Sequence, residues 1–171
     1  MTKRIAMGVD FSTLALHVSY GPGPTPFHFK LTLTHLDPED RIYEVYEKMT
    51  LLYTRIKRRW PDLEFSVLVV ERPFLGKGVT TLRTLTQVQS AILLAGRQAE
   101  WYTVQEDPSV IRKNVLGQGT AKGKGEIKRI GQAWVKTTHQ IDVDLDTADS
   151  IVIWSYAKWL TDNLSPLESV G

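Results

Sequence analysis

Two apolar runs that each end in a carboxylate decide the fold of this chain: Ile5-Ala6-Met7-Gly8-Val9-Asp10 and Val67-Leu68-Val69-Val70-Glu71. Continuous apolar runs of this length are typical of strands that are buried on both faces of a sheet. Binding and catalytic sites of α/β sheets form at the carboxyl ends of such strands. If the two strands are parallel neighbours, Asp10 and Glu71 are therefore expected to converge at one edge of the sheet.

The patterns around these runs predict a mixed α/β architecture. Residues 4–10, 13–20 and 27–33 are short β-like runs separated by turn residues, as in an antiparallel meander. Apolar residues recur at helical spacing over residues 38–60, with Asp37 as a suitable N-cap. The later segments are a strand at 65–71, helices at 80–99, 108–115, 126–136 and about 146–160, and a strand at 101–104. This order predicts a mixed five-stranded sheet, a meander plus parallel strands, flanked by helices.

The bulk composition is that of one globular domain. With 171 residues, of which 42% are hydrophobic, the chain can bury one full core, so a single domain over residues 1–171 is expected. Its polar end, residues 161–171, is expected to be a disordered tail. Cysteine is absent, so any metal must be held by oxygen or imidazole ligands, and a soluble, cytoplasmic protein is expected. The N-terminal apolar run is too short for a signal peptide or a membrane span.

Charges of opposite sign are segregated along the chain. The bases between residues 112 and 129 share that segment with one acid, Glu126, and are Arg112, Lys113, Lys122, Lys124, Lys128 and Arg129. Four acids without an intervening base follow, namely Asp142, Asp144, Asp146 and Asp149. Basic segments attract phosphate and acidic clusters hold cations, so this pattern favours a phosphodiesterase.

The last helix carries two of these acids on its apolar side. Ile153, Tyr156 and Leu160 mark a buried stripe, and steps of three or four residues back along it reach Asp149 and Asp146. Both acids are therefore expected to point inward. Several carboxylates near a core repel one another unless a cation neutralises them, so an oxygen-liganded metal is expected.

Each acid also has a purely structural interpretation. A single aspartate at a strand end, such as Asp10, is often a turn former, and Asp146 could cap its helix. Asp142 and Asp144 are interpreted as solvated loop acids. The four histidines, His17, His28, His35 and His139, lack metal-ligand spacing and are interpreted as incidental. It is the combination of Asp10, Glu71, Asp146 and Asp149 that favours a catalytic site.

Four segments in chain order resemble the RuvC-type Holliday junction resolvases of the ribonuclease H-like superfamily. They are Gly8-Val9-Asp10, Val70-Glu71-Arg72-Pro73-Phe74, Leu116-Gly117-Gln118-Gly119-Thr120-Ala121-Lys122 and Asp146-Thr147-Ala148-Asp149-Ser150. The resemblance extends over nearly the whole chain and implies a ribonuclease H-like fold. It further implies that Asp10, Glu71, Asp146 and Asp149 are a catalytic tetrad that binds two Mg²⁺ or Mn²⁺ ions and cuts DNA to leave 5′-phosphate and 3′-hydroxyl ends.

The same resemblance implies a partner and an assembly. The residues expected to contact branched, four-way DNA are Phe74, Lys77, Arg112, Lys113, Lys122 and Lys124. Phe74 would stack on unpaired bases, although it could equally fold back onto the core. The family pattern is not met fully, because Arg112 lies where a lysine is usual and Gly123 stands where another base is expected. Family members pair as homodimers through the helix at residues 80–99, whose apolar face would serve equally well as monomer core.

Three other functions compete with a junction resolvase. The tetrad would also suit a ribonuclease H-like nuclease that cuts other branched DNA or RNA·DNA hybrids. The segment Gly8-Val9-Asp10-Phe11-Ser12-Thr13 can resemble the phosphate loop of sugar kinases and actin-like ATPases, but those need a duplicated domain that does not fit in this length. A junction-binding module without catalysis would require a defective tetrad, and no tetrad position is missing.

Overall fold

The computed structural model describes residues 3–35, 37–73, 78–123 and 125–164. Its strands are β1 (Lys3–Phe11), β2 (Ala15–Gly21), β3 (Phe27–Thr32), β4 (Leu63–Glu71) and β5 (Tyr102–Glu106). They form one sheet in the order β3-β2-β1-β4-β5. The first three strands are antiparallel neighbours, while β4 runs parallel to β1 and β5 runs parallel to β4. The predicted mixed sheet with a meander is confirmed.

Helices cover both faces of this sheet. They are α1 (Pro38–Arg59), α2 (Val79–Gln98), α3 (Pro108–Leu116), α4 (Glu126–His139) and α5 (Leu145–Asn163). Side chains alternate along β1, so that Met7 and Val9 join the core beneath α1 and α2, whereas Ala6 joins the core beneath the other three helices. The continuous apolar runs noted in the sequence thus belong to strands that are covered on both sides.

Helix α5 packs directly on β1 because Gly8 has no side chain. A Cβ atom at Gly8 would lie 2.1 Å from the backbone nitrogen of Trp154 and 2.7 Å from the carbonyl oxygen of Ser150. A buried hydrogen bond of 2.7 Å between the hydroxyls of Ser19 and Ser150 ties the helix to β2 as well. This close approach brings the start of α5 to the carboxyl end of β1.

The end of α5 corrects the expected tail. The helix continues to Asn163, so residues 161–163 are helical rather than part of a disordered segment. Thr161 is buried, its hydroxyl donates to the carbonyl of Ala157 at 2.7 Å, and Arg4 donates to its backbone carbonyl at 3.1 Å. Residues 165–171 lie outside the described part of the chain. Among the helices of the described ranges, none is long and apolar enough to cross a membrane.

Candidate active site

The carboxyl ends of β1 and β4 bring Asp10 and Glu71 together. Val9 pairs with Val70 in the parallel register, which places the two acids side by side at the next position of each strand. The end of β4 is held by Gln89 of α2, a buried side chain whose amide donates to the backbone carbonyl of Glu71 at 2.8 Å. The convergence that the two apolar runs predicted is confirmed.

Asp149 joins these two acids from the helical side. It is buried in the second turn of α5, where the seating of α5 on Gly8 points it toward β1 and β4. Arg112 of α3 lies between the acids, with Nη2 at 3.7 Å from Glu71 Oε1 and at 3.7 Å from Asp149 Oδ2. Acids from β4 and α5 thus share one guanidinium group.

Asp146 lies at the rim of this cluster and not inside it. Its side chain is 57% exposed, so the expectation that it points inward was wrong. Burial of α5 begins only at Ala148, two residues after Asp146. The capping interpretation also fails for Asp146, since the N-cap is Asp144, which accepts a hydrogen bond from the amide of Thr147 at 2.7 Å. Asp144, interpreted from the sequence as a solvated loop acid, is exposed and lies just before α5, and it has the additional role of capping that helix.

Lys128 of α4 completes the cluster and was missed by the sequence analysis as a site residue. Its Nζ donates to Asp146 Oδ1 at 2.8 Å and lies 3.0 Å from Asp149 Oδ2. Lys128 had been noted only as one of the bases in the basic segment at residues 112–129. Nothing in the local pattern indicates which base meets which acid, because that depends on how α4 packs beside α5.

Burial and mutual repulsion raise the pKa values of Asp10 and Glu71, the two acids at the centre of the cluster. Burial, followed by the charges of Glu71 and Asp149, raises the pKa of Asp10 to about 8. Burial also raises the pKa of Glu71, to about 7, although Arg112 works in the opposite direction. By contrast, the hydrogen bond from Lys128 lowers the pKa of Asp146. Four acids and two bases thus form a cluster in which the innermost carboxyls resist ionisation.

Glu44 of α1 is a buried carboxylate outside the cluster, and its environment can be compared with that of Asp10. Burial alone would raise its pKa, but hydrogen bonds from Lys48 and from the amides of His35 and Thr34 lower it to about 2. Those bonds measure 2.6, 3.2 and 2.9 Å. Asp10 receives no side-chain hydrogen bond from any described residue. Asp10 therefore lacks the hydrogen bonds by which the fold compensates the buried charge of Glu44.

The chemistry of the donors suits a hard divalent ion, while the chain's own cations occupy the space between them. Carboxylate oxygens are the ligands that Mg²⁺ and Mn²⁺ prefer. Within the described ranges, however, no three Asp, Glu or His side chains are grouped closely enough to form a metal site. Lys128 and Arg112 lie between the acids instead. The carboxylates are suitable ligands for such an ion. In this arrangement, however, Lys128 and Arg112 neutralise part of their charge.

The raised pKa values predict a pH dependence of stability. Between their ordinary values of 3.8 and 4.5 and their folded values of about 8 and about 7, Asp10 and Glu71 hold more protons in the folded than in the unfolded chain. The free energy of unfolding of the metal-free protein should therefore fall as pH rises from about 6.5 to 8. Burial lowers the pKa of His139, so the titration of this residue makes the free energy of unfolding rise with pH below that range.

Urea unfolding in the presence of a chelator, at several pH values in this range, measures the effect. Asp10→Asn combined with Glu71→Gln serves as the control, because the pH slope should become nearly flat without the two titrating groups. A wild-type slope that is zero or positive would contradict the buried, repelling arrangement of these acids.

The predicted DNA-contact residues are distributed unevenly. Lys113 on α3 and Lys122 in the loop before α4 are exposed, as phosphate-binding residues should be. Arg112 instead turns into the acid cluster, with only 16% of its side chain exposed. Phe74, Lys77 and Lys124 lie outside the described residues.

His17 is a further neighbour of the site that the sequence analysis treated as incidental. It lies opposite Asp10 in the antiparallel register of β1 and β2, and its side chain is buried. Its Nδ1 lies 3.4 Å from the hydroxyl of Thr147 in the first turn of α5. The alternation of residues along β2 indicates which face of the sheet His17 lies on. Only the register between β1 and β2 shows that it lies beside Asp10.

The sheet order and the helices on both faces define a ribonuclease H-like fold, with acids from β1, β4 and α5 at its centre. The chain is 27% identical over 136 residues to the crossover junction endodeoxyribonuclease RuvC of Halothermothrix orenii, covering 80% of this chain and 73% of that protein. No family model matches the chain.

Solved structures agree with this sequence relative. The structure of Thermus thermophilus RuvC superposes with a TM-score of 0.71 at 14% identity, covering 92% of this chain and 95% of that one. The same protein in complex with a Holliday junction substrate gives a TM-score of 0.68 at 10% identity, covering 93% and 95%. These solved structures share the fold of this chain, and the sequence relative carries the name of the family that the four sequence segments resemble.

Proposed function

We propose that this chain is an endodeoxyribonuclease that resolves four-way DNA junctions, with Asp10, Glu71, Asp146 and Asp149 as its catalytic carboxylates. The observation that carries the proposal is the meeting of Asp10, Glu71 and Asp149 at the carboxyl ends of the two central strands. Its support from relatives is the endonuclease name of the Halothermothrix protein and the junction bound to the Thermus structure.

The carboxylates of the tetrad would hold the metal, for which we propose two Mg²⁺ or Mn²⁺ ions. Such ions supply an activated water and offset the charge that develops on the phosphate. The chain contributes the placement of the ligands: the parallel register positions Asp10 and Glu71, and the packing of α5 on Gly8 positions Asp149. Because Asp10 and Glu71 have raised pKa values, they must release protons before they can act as ligands.

The DNA would lie over the carboxyl ends of the strands, where the acid cluster is found. Lys113 and Lys122 are proposed phosphate contacts, and so are Arg112, Lys77 and Lys124 from the sequence analysis, with Phe74 as a stacking residue. Hydrolysis that leaves 5′-phosphate and 3′-hydroxyl ends completes the proposal. A cytoplasmic location and a single domain over residues 1–171 remain predictions from the sequence.

A panel of matched DNA substrates tests this function. The protein should cut a synthetic four-way junction with Mg²⁺ and not with a chelator, and it should cut flaps, duplexes and RNA·DNA hybrids more slowly. Preference for the hybrid would favour the alternative ribonuclease H-like activity. Absence of Mg²⁺-dependent cleavage on every substrate would reject the proposal.

The packing of Gly8 disfavours the alternative of a sugar-kinase or actin-like ATPase. A phosphate loop needs open space over its glycine so that the ligand can approach the backbone. At Gly8 that space is filled by the backbone of Trp154 and Ser150. The glycine therefore serves helix packing, and a binding site for ATP phosphates is not expected there.

A homodimer through α2 is also proposed. α1 and α2 form a shallow apolar groove whose lining includes Tyr43, Tyr46, Ala91 and Leu94, and Tyr43 and Leu94 are 62% and 54% exposed. Exposed apolar patches of this kind are typical of protein interfaces. Two copies related by a two-fold axis would present two active sites to a junction of similar symmetry.

Sedimentation equilibrium of wild type and Leu94→Glu tests the dimer. The wild type should have twice the chain mass of 19.4 kDa, and the variant should be a monomer because a buried carboxylate opposes association. Leu51→Glu is a matched control, since Leu51 is similarly exposed on α1 but lies outside the groove. A wild-type protein that is monomeric at micromolar concentration would reject the proposed pairing.

A further inference from the structure

Lys128 makes two short contacts to acids of the proposed catalytic tetrad. Its Nζ lies 2.8 Å from Asp146 Oδ1 and 3.0 Å from Asp149 Oδ2, distances at which an ammonium group forms charge-assisted hydrogen bonds. Both acids come from α5, whereas Lys128 comes from the first turn of α4. An ammonium group that contacts both oxygens occupies the space between them.

The surroundings of this pair differ from those of an ordinary surface ion pair. Lys136, two turns further along α4, binds Asp142 at 2.9 Å, but its side chain and that of its partner are 65% and 76% exposed. The corresponding values for Lys128 and Asp149 are 36% and 5%. Exposed pairs contribute little because water screens them, while a buried carboxylate without its partner is costly. The contact between Lys128 and Asp149 therefore compensates a charge that water reaches poorly.

The rest of the cluster cannot take over this role. Arg112 is the other base in contact with Asp149, and it is shared with Glu71 at 3.7 Å from each acid. Asp10 and Glu71 add further negative charge when they ionise. A divalent ion that binds Asp146 and Asp149 would therefore meet an ammonium group already placed between these ligands, and two cations repel at such short range.

We infer that Lys128 is a built-in counter-ion of the active site, which holds the space between Asp146 and Asp149 in the metal-free protein and is displaced when a divalent ion binds. The inference rests on the proposed function, because it assumes that these two acids are metal ligands. It implies a site that is neutralised before the metal arrives, at the expense of some metal affinity. Lys128 thus acts as a positioning residue for the ligands and not as a catalytic residue.

Calorimetric titration with Ca²⁺, without DNA, measures the competition directly. Lys128→Met should bind Ca²⁺ on the order of tenfold more tightly than wild type, because the ion no longer has to displace the ammonium group. Lys136→Met is the matched control, since it removes a lysine from the same helix and from an exposed ion pair outside the cluster, and its affinity should equal that of wild type. Equal affinities for wild type and Lys128→Met overturn the inference, as does a failure of both to bind Ca²⁺.

Labelling of the unmodified protein tests displacement without any substitution. A short pulse of reductive methylation, read by mass spectrometry, should label Lys128 several times faster with saturating Ca²⁺ than with a chelator. Lys136 serves as the internal reference, and its labelling should not change. Tighter Ca²⁺ binding by Lys128→Met without faster labelling of wild-type Lys128 would mean that the lysine acts only through space, and would overturn the displacement.

Failure of the proposed function would look different from failure of this inference. If wild type does not cut a junction with Mg²⁺, the nuclease proposal fails, whereas the Ca²⁺ affinities and the labelling still decide whether Lys128 gives way to an ion. If wild type cuts the junction and Lys128 neither lowers Ca²⁺ affinity nor becomes accessible, the nuclease proposal stands and the inference alone is rejected.

Discussion

Asp10→Asn is expected to abolish junction cleavage while leaving junction binding nearly unchanged. An amide in place of the carboxylate removes one anionic ligand from the centre of the cluster and cannot stabilise the metal ions in the transition state. The cleavage rate should fall by roughly 10³-fold or more, which corresponds to about 4 kcal/mol. Binding depends on phosphate contacts made by bases elsewhere and should remain sensitive to salt. Glu71→Gln should behave in the same way.

Single-turnover cleavage with Mg²⁺ and gel-shift binding without Mg²⁺ separate the two effects. Asp142→Asn is a matched control, because Asp142 lies near α5 in sequence but pairs with Lys136 outside the cluster, and it should cut at the wild-type rate. If Asp10→Asn or Glu71→Gln cuts the junction at the wild-type rate, the four acids are not the catalytic carboxylates.

The same substitution has a second consequence that reports on folding. Because burial and repulsion raise the pKa of Asp10, a neutral side chain at this position should relieve the repulsion from Glu71 and Asp149. Metal-free Asp10→Asn should therefore unfold at a higher temperature than wild type at pH 8. An inactive and more stable variant is the expected signature of an active-site acid, whereas an inactive and less stable one would indicate a structural role.

Gly8→Ala is expected to be the most damaging single change in the sheet. The added methyl group would lie 2.1, 2.6 and 2.7 Å from backbone atoms of Trp154, Ile153 and Ser150. Backbone in the middle of a packed helix cannot move aside as a flexible side chain could, so α5 would have to shift away from β1. Overpacking of this kind costs about 3 kcal/mol or more. The shift would also move Asp149 away from Asp10 and reduce cleavage in whatever protein remains folded.

Urea unfolding of Gly8→Ala, compared with Gly131→Ala, measures this effect. Gly131 lies in α4 beside the same helix, but a methyl group there would meet Val152 at 3.6 Å and Asp149 at 3.9 Å, which is ordinary contact. Replacement of glycine by alanine inside a helix should even add about 1 kcal/mol of stability. If Gly8→Ala is as stable as Gly131→Ala, the packing of α5 on β1 is wrong, and with it the position of Asp149.

The sequence by itself determined the elements and the strand-borne half of the site. Apolar runs that end in acids predict buried strands with carboxylates at their ends, and local periodicity identified each of the five helices in the described ranges, to within a few residues at each end. Asp37 as the N-cap of α1 was predicted correctly, since a cap is a local interaction over two residues. Asp10 and Glu71 could be paired because strands with such patterns are central and parallel.

Only the tertiary structure decided how the helical half of the site is built. Helix α5 is buried on nearly all sides from Ala148 to Trp154, so it has no single apolar stripe from which the directions of Asp146 and Asp149 could be deduced. The contacts of Lys128 and Arg112 with the acids depend on how α4 and α3 pack beside α5. Periodicity specifies a residue's place on its own element, whereas the meeting of charges from different elements depends on packing between elements that are far apart in sequence.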